Sequence, residues 1–192
     1  MQFFCKVATT AVFLLGGSIA WAAPETFAID SNHTYPMFSV GHMSVSLQRG
    51  RFNKTSGKIV LDREAKAGSI DVTIETKSLD MGFEKWDQHM KSEDFFNVEK
   101  FPFITFKSKK LIFEGDKLVG VDGDFTLLGV TRPMRLKVFN FVCTQHPMFK
   151  KLYCGAEVSA EIKRSDYGMK NGIPMVDDKV HLVSAVEAVK ED

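Results

Sequence analysis

Apolar residues at every second position constrain this chain more than any other feature of its sequence. In "GSIDVTIET", Ile70, Val72 and Ile74 share one parity while Asp71, Thr73 and Glu75 share the other. "VGVDGDFTLLG" sets Val121, Phe125 and Leu127 against Asp122, Asp124 and Thr126. "CGAEVSAEIKR" sets Ala156, Val158, Ala160 and Ile162 against Glu157, Ser159, Glu161 and Lys163, and "DKVHLVSAVEAVK" repeats the pattern. Side chains alternate between the two faces of a strand, so each segment reads as dry on one face and wet on the other, in an antiparallel sheet. Turn chemistry separates these segments at residues 114–117, 128–133 and 165–174. About eight strands with short connections predict an all-β sandwich or a closed barrel. The barrel is favoured, because no strand carries the several prolines or lysines that protect an open edge.

One strand contradicts its own parity. In "MRLKVFNFVC", Met134, Leu136 and Val138 alternate, and then Phe139 and Phe141 take the opposite phase. If Cys143 and Cys154 pair across a hairpin, Phe141 faces Ala156 and Phe139 faces Val158. A β-bulge near Val138 then reconciles both halves. The alternative is that both faces of this strand are partly covered.

The first 22 residues read as a secretory signal. Lys6 precedes a short apolar run, and "AWA" at Ala20, Trp21 and Ala22 fits the small-x-small cleavage rule. The run is shorter than the roughly 20 residues that span a bilayer. The expected domains are a signal peptide over 1–22 and one exported domain over 23–192, periplasmic in a Gram-negative source. No integral membrane segment is expected after cleavage. Removing Lys6 takes the 25 basic residues to 24, equal to the 24 acidic ones. A neutral chain lacks the basic face that nucleic acid demands. Cys5 leaves with the signal. Cys143 and Cys154 remain in an oxidising compartment and predict a disulfide.

Catalytic signatures are missing: there is no G-x-S-x-G elbow, H-E-x-x-H pair, phosphate-binding loop or EF-hand. His33 and His42 have opposite parity, so a straight strand points them apart. Asp87 and His89 lie two apart on a predicted helix and do not face each other. His146 falls within the loop between the cysteines. No metal site and no cofactor is expected.

"FEKWDQHMKSEDFFNVEKFPFITF" breaks the β rhythm. Phe83, Trp86 and Met90 fall at i, i+3 and i+7 and predict an amphipathic helix over 83–91, capped by Asp80 or Ser78. Ser92 is expected to cap a second short turn carrying Glu93 and Asp94. Phe101, preceding Pro102, is held extended. With Phe95 and Phe96, this segment reads as a short helical cap laid on the barrel. It either plugs a packed core or walls an apolar cavity.

The segment "DQHMKSEDFFNVEKFPFITFKS" resembles the central motif of the YceI-like family of exported lipid-binding proteins. "SNHTYPMFSVGHM" is similar to its N-terminal element through His33, Phe38, Val40 and His42. "GRFNKTSGKIVLD", "GDFTLLGVTRPMRL" and "IKRSDYGM" follow in the family's order. Trp86 departs from the arginine that many members place before the aspartate. The resemblance implies a lipocalin-like extended antiparallel β-barrel with a long apolar pocket and no catalytic machinery. It also implies a polyisoprenoid, quinone-like or other amphiphilic lipid as ligand, and a homodimer by family analogy. The expected wall residues are Phe38, Val40, Ile70, Val72, Ile74, Phe106, Phe125, Leu127, Val158, Ile162, Leu182 and Val186. Phe83, Trp86, Met90, Phe95 and Phe96 would form the cap, with His42 or Asp87 meeting a polar headgroup. Two other readings remain: a small lipid-modifying enzyme using His42 or His89, and a structural protein with a filled barrel.

Overall fold

The computed structural model describes residues 23–192; the expected signal peptide lies outside them. The elements run β1 (Glu25–Ile29), β2 (Met37–His42), β3 (Ser46–Phe52), β4 (Thr55–Asp62), β5 (Ala67–Glu75), β6 (Leu79–Asp80), α1 (Glu84–Lys91), β7 (Phe103–Glu114), β8 (Lys117–Leu127), β9 (Val130–Gln145), β10 (Leu152–Lys163) and β11 (Val176–Lys190). All pairings are antiparallel, in the order β1-β4-β5-β7-β8-β9-β10-β11. β1 then pairs β11 and closes an eight-stranded barrel. Closure is what the sequence pattern predicts for strands with unprotected edges.

Strands β2, β3 and β6 extend the wall beyond β1, β4 and β5 at one end. β1 and β2 both lie along one edge of β11, with Ala28 opposite Val189 and Phe38 opposite Leu182. Between them the ladder is interrupted, and Thr34 bridges the break. Its buried hydroxyl donates to the Glu187 carbonyl at 3.2 Å and accepts from the Glu187 amide at 3.0 Å. Outside this break, Asp30 Oδ2 and His33 Nδ1 lie 2.8 Å apart, and Tyr153 donates to Glu187. Burial opposes ionisation of Asp30, yet the bonds from His33 and the Asn32 amide hold its carboxyl below the ordinary value. Asp30, His33 and Glu187 bring three potential ligand atoms within 4.8 Å. These hydrogen bonds account for the cluster without an ion.

The expected parities hold in β5, β8 and β10. Val121, Phe125 and Leu127 are buried while Asp122 and Arg135 pair across the outer face, Arg135 Nη2 to Asp122 Oδ2 at 2.7 Å. A β-bulge resolves the β9 parity break, as expected, but at a different position and register. Val138 pairs Val158 and Phe139 pairs Glu157, whereas Val142 pairs Gly155. Asn140 and Phe141 therefore stand opposite Ala156 alone, and Asn140 adopts φ +52°. The extra residue sits after Phe139, not at Val138, so Phe139 keeps the outward phase and is 48% exposed. Phe141 turns inward, as expected, because the bulge flips parity behind it.

Cys143 and Cys154 face each other across β9 and β10 with Cα atoms 4.1 Å apart and are disulfide-bonded. Closing this short loop stabilises by about 3 kcal/mol in the chain-entropy model. Reduction is expected to lower the urea-unfolding free energy by that amount. A loss under about 1 kcal/mol would show that the hairpin holds its register unaided. Thiol labelling of the denatured, unreduced protein should leave both cysteines unmodified.

Candidate functional site

The inward-facing side chains of the barrel leave a cavity of about 380 Å³. This is within the usual range for ligand pockets. Its wall is almost wholly apolar. Along β10, lining residues run from Cys154 to Ile162. The eight steps between these two residues rise about 26 Å, or roughly 20 Å along a bore whose strands tilt near 40°. Leu111 and Leu118 lie towards the far end, and Trp86, His89 and Met90 of α1 line the near end. The site is thus a long, dry bore under a helix.

All twelve expected wall residues line this cavity, from Phe38 on β2 to Val186 on β11. The pattern reading missed Leu111 and Leu118. Ile104 and Phe106 establish an even inward parity in β7, but the register shifts between Ser108 and Lys110. That extra residue makes Leu111 inward, at 7% exposure. A second shift near Phe113 hides Leu118 from the same rule. Bulges leave no clear period-two signature in sequence.

The helical segment is anchored by the residues between α1 and β7. Phe96 is buried against Phe38 and Phe52, with ring centroids 5.8 and 5.4 Å away. Each such aromatic pair adds about 0.5–1.5 kcal/mol beyond area burial. Val98 is buried too, and Thr76 ties the segment to β5 by donating its hydroxyl to the Phe101 carbonyl at 2.8 Å. α1 itself contains no buried residue. Trp86 lines the cavity yet is 40% exposed. The helix therefore lies over the near end of the cavity, with Met90 half-buried against the core.

Residues 27–188 match the family described as YceI-like domain. This chain belongs to the YceI-like family. A UPF0312 protein of Photorhabdus laumondii is 33% identical over 184 residues, covering 95% of each chain. Among solved structures, BcnA of Burkholderia cenocepacia superposes with a TM-score of 0.67 at 24% identity, over 83% of this chain and 98% of BcnA. A polyisoprenoid binding domain from Saccharophagus degradans, implicated in plant cell wall breakdown, gives 0.67 at 18% identity, over 86% and 98%.

Several expectations about the near end of this YceI-like barrel need correction. α1 begins at Glu84, with extended Phe83 as its N-cap and no side-chain cap. Asp80 Oδ1 accepts from the Gly82 amide, and the Ser78 hydroxyl donates to the Glu75 carbonyl, so neither caps the helix. Phe83 is 58% exposed and lies off the cavity, because its extended backbone directs it away from the Trp86 and Met90 stripe. Ser92 ends α1, donating its hydroxyl back to the His89 carbonyl at 2.7 Å. Asp87 does not line the cavity: its Oδ1 accepts from the Met81 amide at 2.6 Å and locks the turn into the helix. A carboxylate held in that way is a structural fastener.

His42 does line the cavity, beside Gln48 on the neighbouring strand. His89 lines it from α1, with its ring edge-on to Phe95 at 5.0 Å. The expectation that His33 and His42 point apart matches their places, His33 outside the barrel and His42 on the bore. Among the described residues, one buried polar side-chain atom lacks a partner, Thr55 Oγ1, on the bore. The sequence reading also passed over Arg164, which is 3% exposed and lines the bore. Its guanidinium donates to the carbonyls of Asp177, Asn171, Val176 and Met169 at 2.8, 2.8, 2.9 and 3.1 Å. Burial lowers its pKa, with Asp178 and Asp177 opposing that. Its signal was the "KRSDYGM" stretch, a cation set in a strand-to-turn junction.

Proposed function

We propose that this protein is an exported carrier that holds a long isoprenoid or quinone-like lipid in the barrel. The observation that carries this reading is α1: its apolar stripe lines a dry bore and remains unburied, as a lid over a guest would. A bore about 20 Å long favours a chain over a compact ligand. Burying such a chain yields roughly 25 cal/mol per Å² without directional contacts. The barrel fold shared with the Saccharophagus degradans polyisoprenoid binding domain supports an isoprenoid in particular. His42, Gln48 and His89 supply the polar groups for a headgroup near α1. Residues 1–22 serve as the export signal, the carrier domain is 23–192, the compartment is the periplasm, and the assembly is a homodimer by family analogy.

The role is binding without catalysis. A catalytic reading needs a histidine facing the bore with a carboxylate in hydrogen-bond reach. Among the described residues, the histidine–carboxylate pairs are His33 with Asp30 and Glu187, and His181 with Glu161, none of which involves a bore-lining histidine. Native purification from the periplasm, solvent extraction and mass spectrometry should return one isoprenoid per barrel. A lipid-free protein that also refuses added geranylgeraniol would overturn the proposal.

A further inference from the structure

The β2–β3 hairpin stands beside the near end of the bore and breaks two rules at once. Its three-residue loop, Met43 to Val45, opens with a β-turn closed by Val45 N–H donating to the His42 carbonyl at 3.0 Å, and the two central residues of that turn, Met43 and Ser44, sit at φ +53° and +57°. Such turns ordinarily use Asn-Gly or Gly-Gly, because side chains with a Cβ are strained there. The turn also carries apolar residues where polar ones are the norm. Met43 is 57% exposed, Val45 85% and Leu47 51%. The adjoining 173–175 loop adds Ile173 at 38% and Met175 at 62%. The two loops are tied together, since the Met43 amide donates to the Met175 carbonyl at 2.6 Å. Five exposed apolar side chains thus form one rim, continuous through His42 with the bore.

Cations flank this rim. Arg49 shares the outward parity of Leu47 on β3, and Lys170 begins the loop that carries Ile173. Among the described residues, neither side chain has an acidic partner. The acids on this side are already engaged or few: Asp177 stands over Gly41, and Glu161, on the outward row that runs from Arg49 through Ser39 and His181, pairs with Lys179 and His181. Apolar tips with long basic side chains beside them suit one partner chemistry. The tips enter the acyl boundary of a bilayer while the basic heads reach lipid phosphates.

We infer that this rim docks on the surface of a phospholipid bilayer, placing the near end of the bore against the membrane for lipid exchange. The inference rests on the carrier reading for its purpose but not for its test. Flotation of the purified protein with vesicles of phosphatidylethanolamine and phosphatidylglycerol should recover it in the vesicle fraction. The double variant V45D/M175D should lose this association by tenfold or more, since two apolar insertions are replaced by charges. Neither residue lines the bore, so uptake of geranylgeraniol from detergent micelles should be unchanged in the variant. Wild-type protein that takes up geranylgeraniol but ignores the vesicles would overturn the docking and leave the carrier reading intact. Equal flotation of the variant would overturn it too, as would a rim found buried between two copies with no vesicle binding. Rim-dependent flotation of a protein that takes up no isoprenoid would uphold the docking while the carrier reading fails.

Discussion

Replacing Arg164 with methionine is expected to cost about 3–5 kcal/mol of stability. The exposed Arg132→Met substitution should cost no more than about 1 kcal/mol. The difference lies in what each guanidinium holds. Arg132 makes one bond, to the Asp166 carbonyl at 2.8 Å, from an exposed position. Arg164 is buried and gathers four carbonyls, those of Met169 and Asn171 in the loop between β10 and β11 and those of Val176 and Asp177 where β11 begins. That loop has no ladder of its own, so its carbonyls depend on the side chain. Leaving buried acceptors unmet costs about 1–3 kcal/mol each, though the losses do not simply add. A domain of this size should then melt roughly 6–20 °C lower. Hydrogen exchange should quicken first at Met169 and Val176, whose amides bond within the same loop. A variant within about 1 kcal/mol of the parent would show that water replaces the guanidinium without penalty.

The sequence exposed the parts of this fold that repeat and concealed the parts that occur once. Period two carried β5, β8 and β10, because a half-buried strand writes its burial into every second residue. The helical segment was legible for the same reason at a period of 3.6. Of three bulges, only the one in β9 was anticipated from the parity break, and it was set too early in the strand. The one in β9 left Phe139 looking like core, and those in β7 and β8 hid Leu111 and Leu118. A bulge is settled by the partner strand, which lies far away in sequence. Asp87 failed as a site residue for a related cause. A carboxylate on the polar face of a helix looks the same in sequence whether it meets a ligand or a backbone amide. Its bond to the Met81 amide depends on how the chain enters α1. Arg164 shows the converse. The break between Lys163 and the loop gave the place, but the four carbonyls around it exist only once that loop is folded.

Filling the bore separates a lipid cavity from a core that merely packs loosely. β10 alternates small and large inward residues: Ala156, Val158, Ala160 and Ile162. Ala156 and Ala160 both line the cavity and are only half-buried. In a filled barrel, A156F/A160F would force neighbours off their rotamers and destabilise by about 1–3 kcal/mol per site. In an open bore the new rings enter existing space and gain apolar contact, so stability should hold within about 1 kcal/mol or rise. The guest, by contrast, loses the same space. Displacing about 100 Å² of buried chain removes roughly 2.5 kcal/mol, close to 100-fold in affinity for geranylgeraniol. Trp86 makes the measurement direct, because it is the sole tryptophan of residues 23–192 and lines the near end of the bore. Geranylgeraniol titrated into the parent protein should shift Trp86 emission to the blue as the lid dries. The double variant should show the shifted emission weakly or not at all, at unchanged thermal stability. A variant that unfolds easily yet still binds at parental affinity would mean that the guest sits elsewhere and that the barrel interior is core.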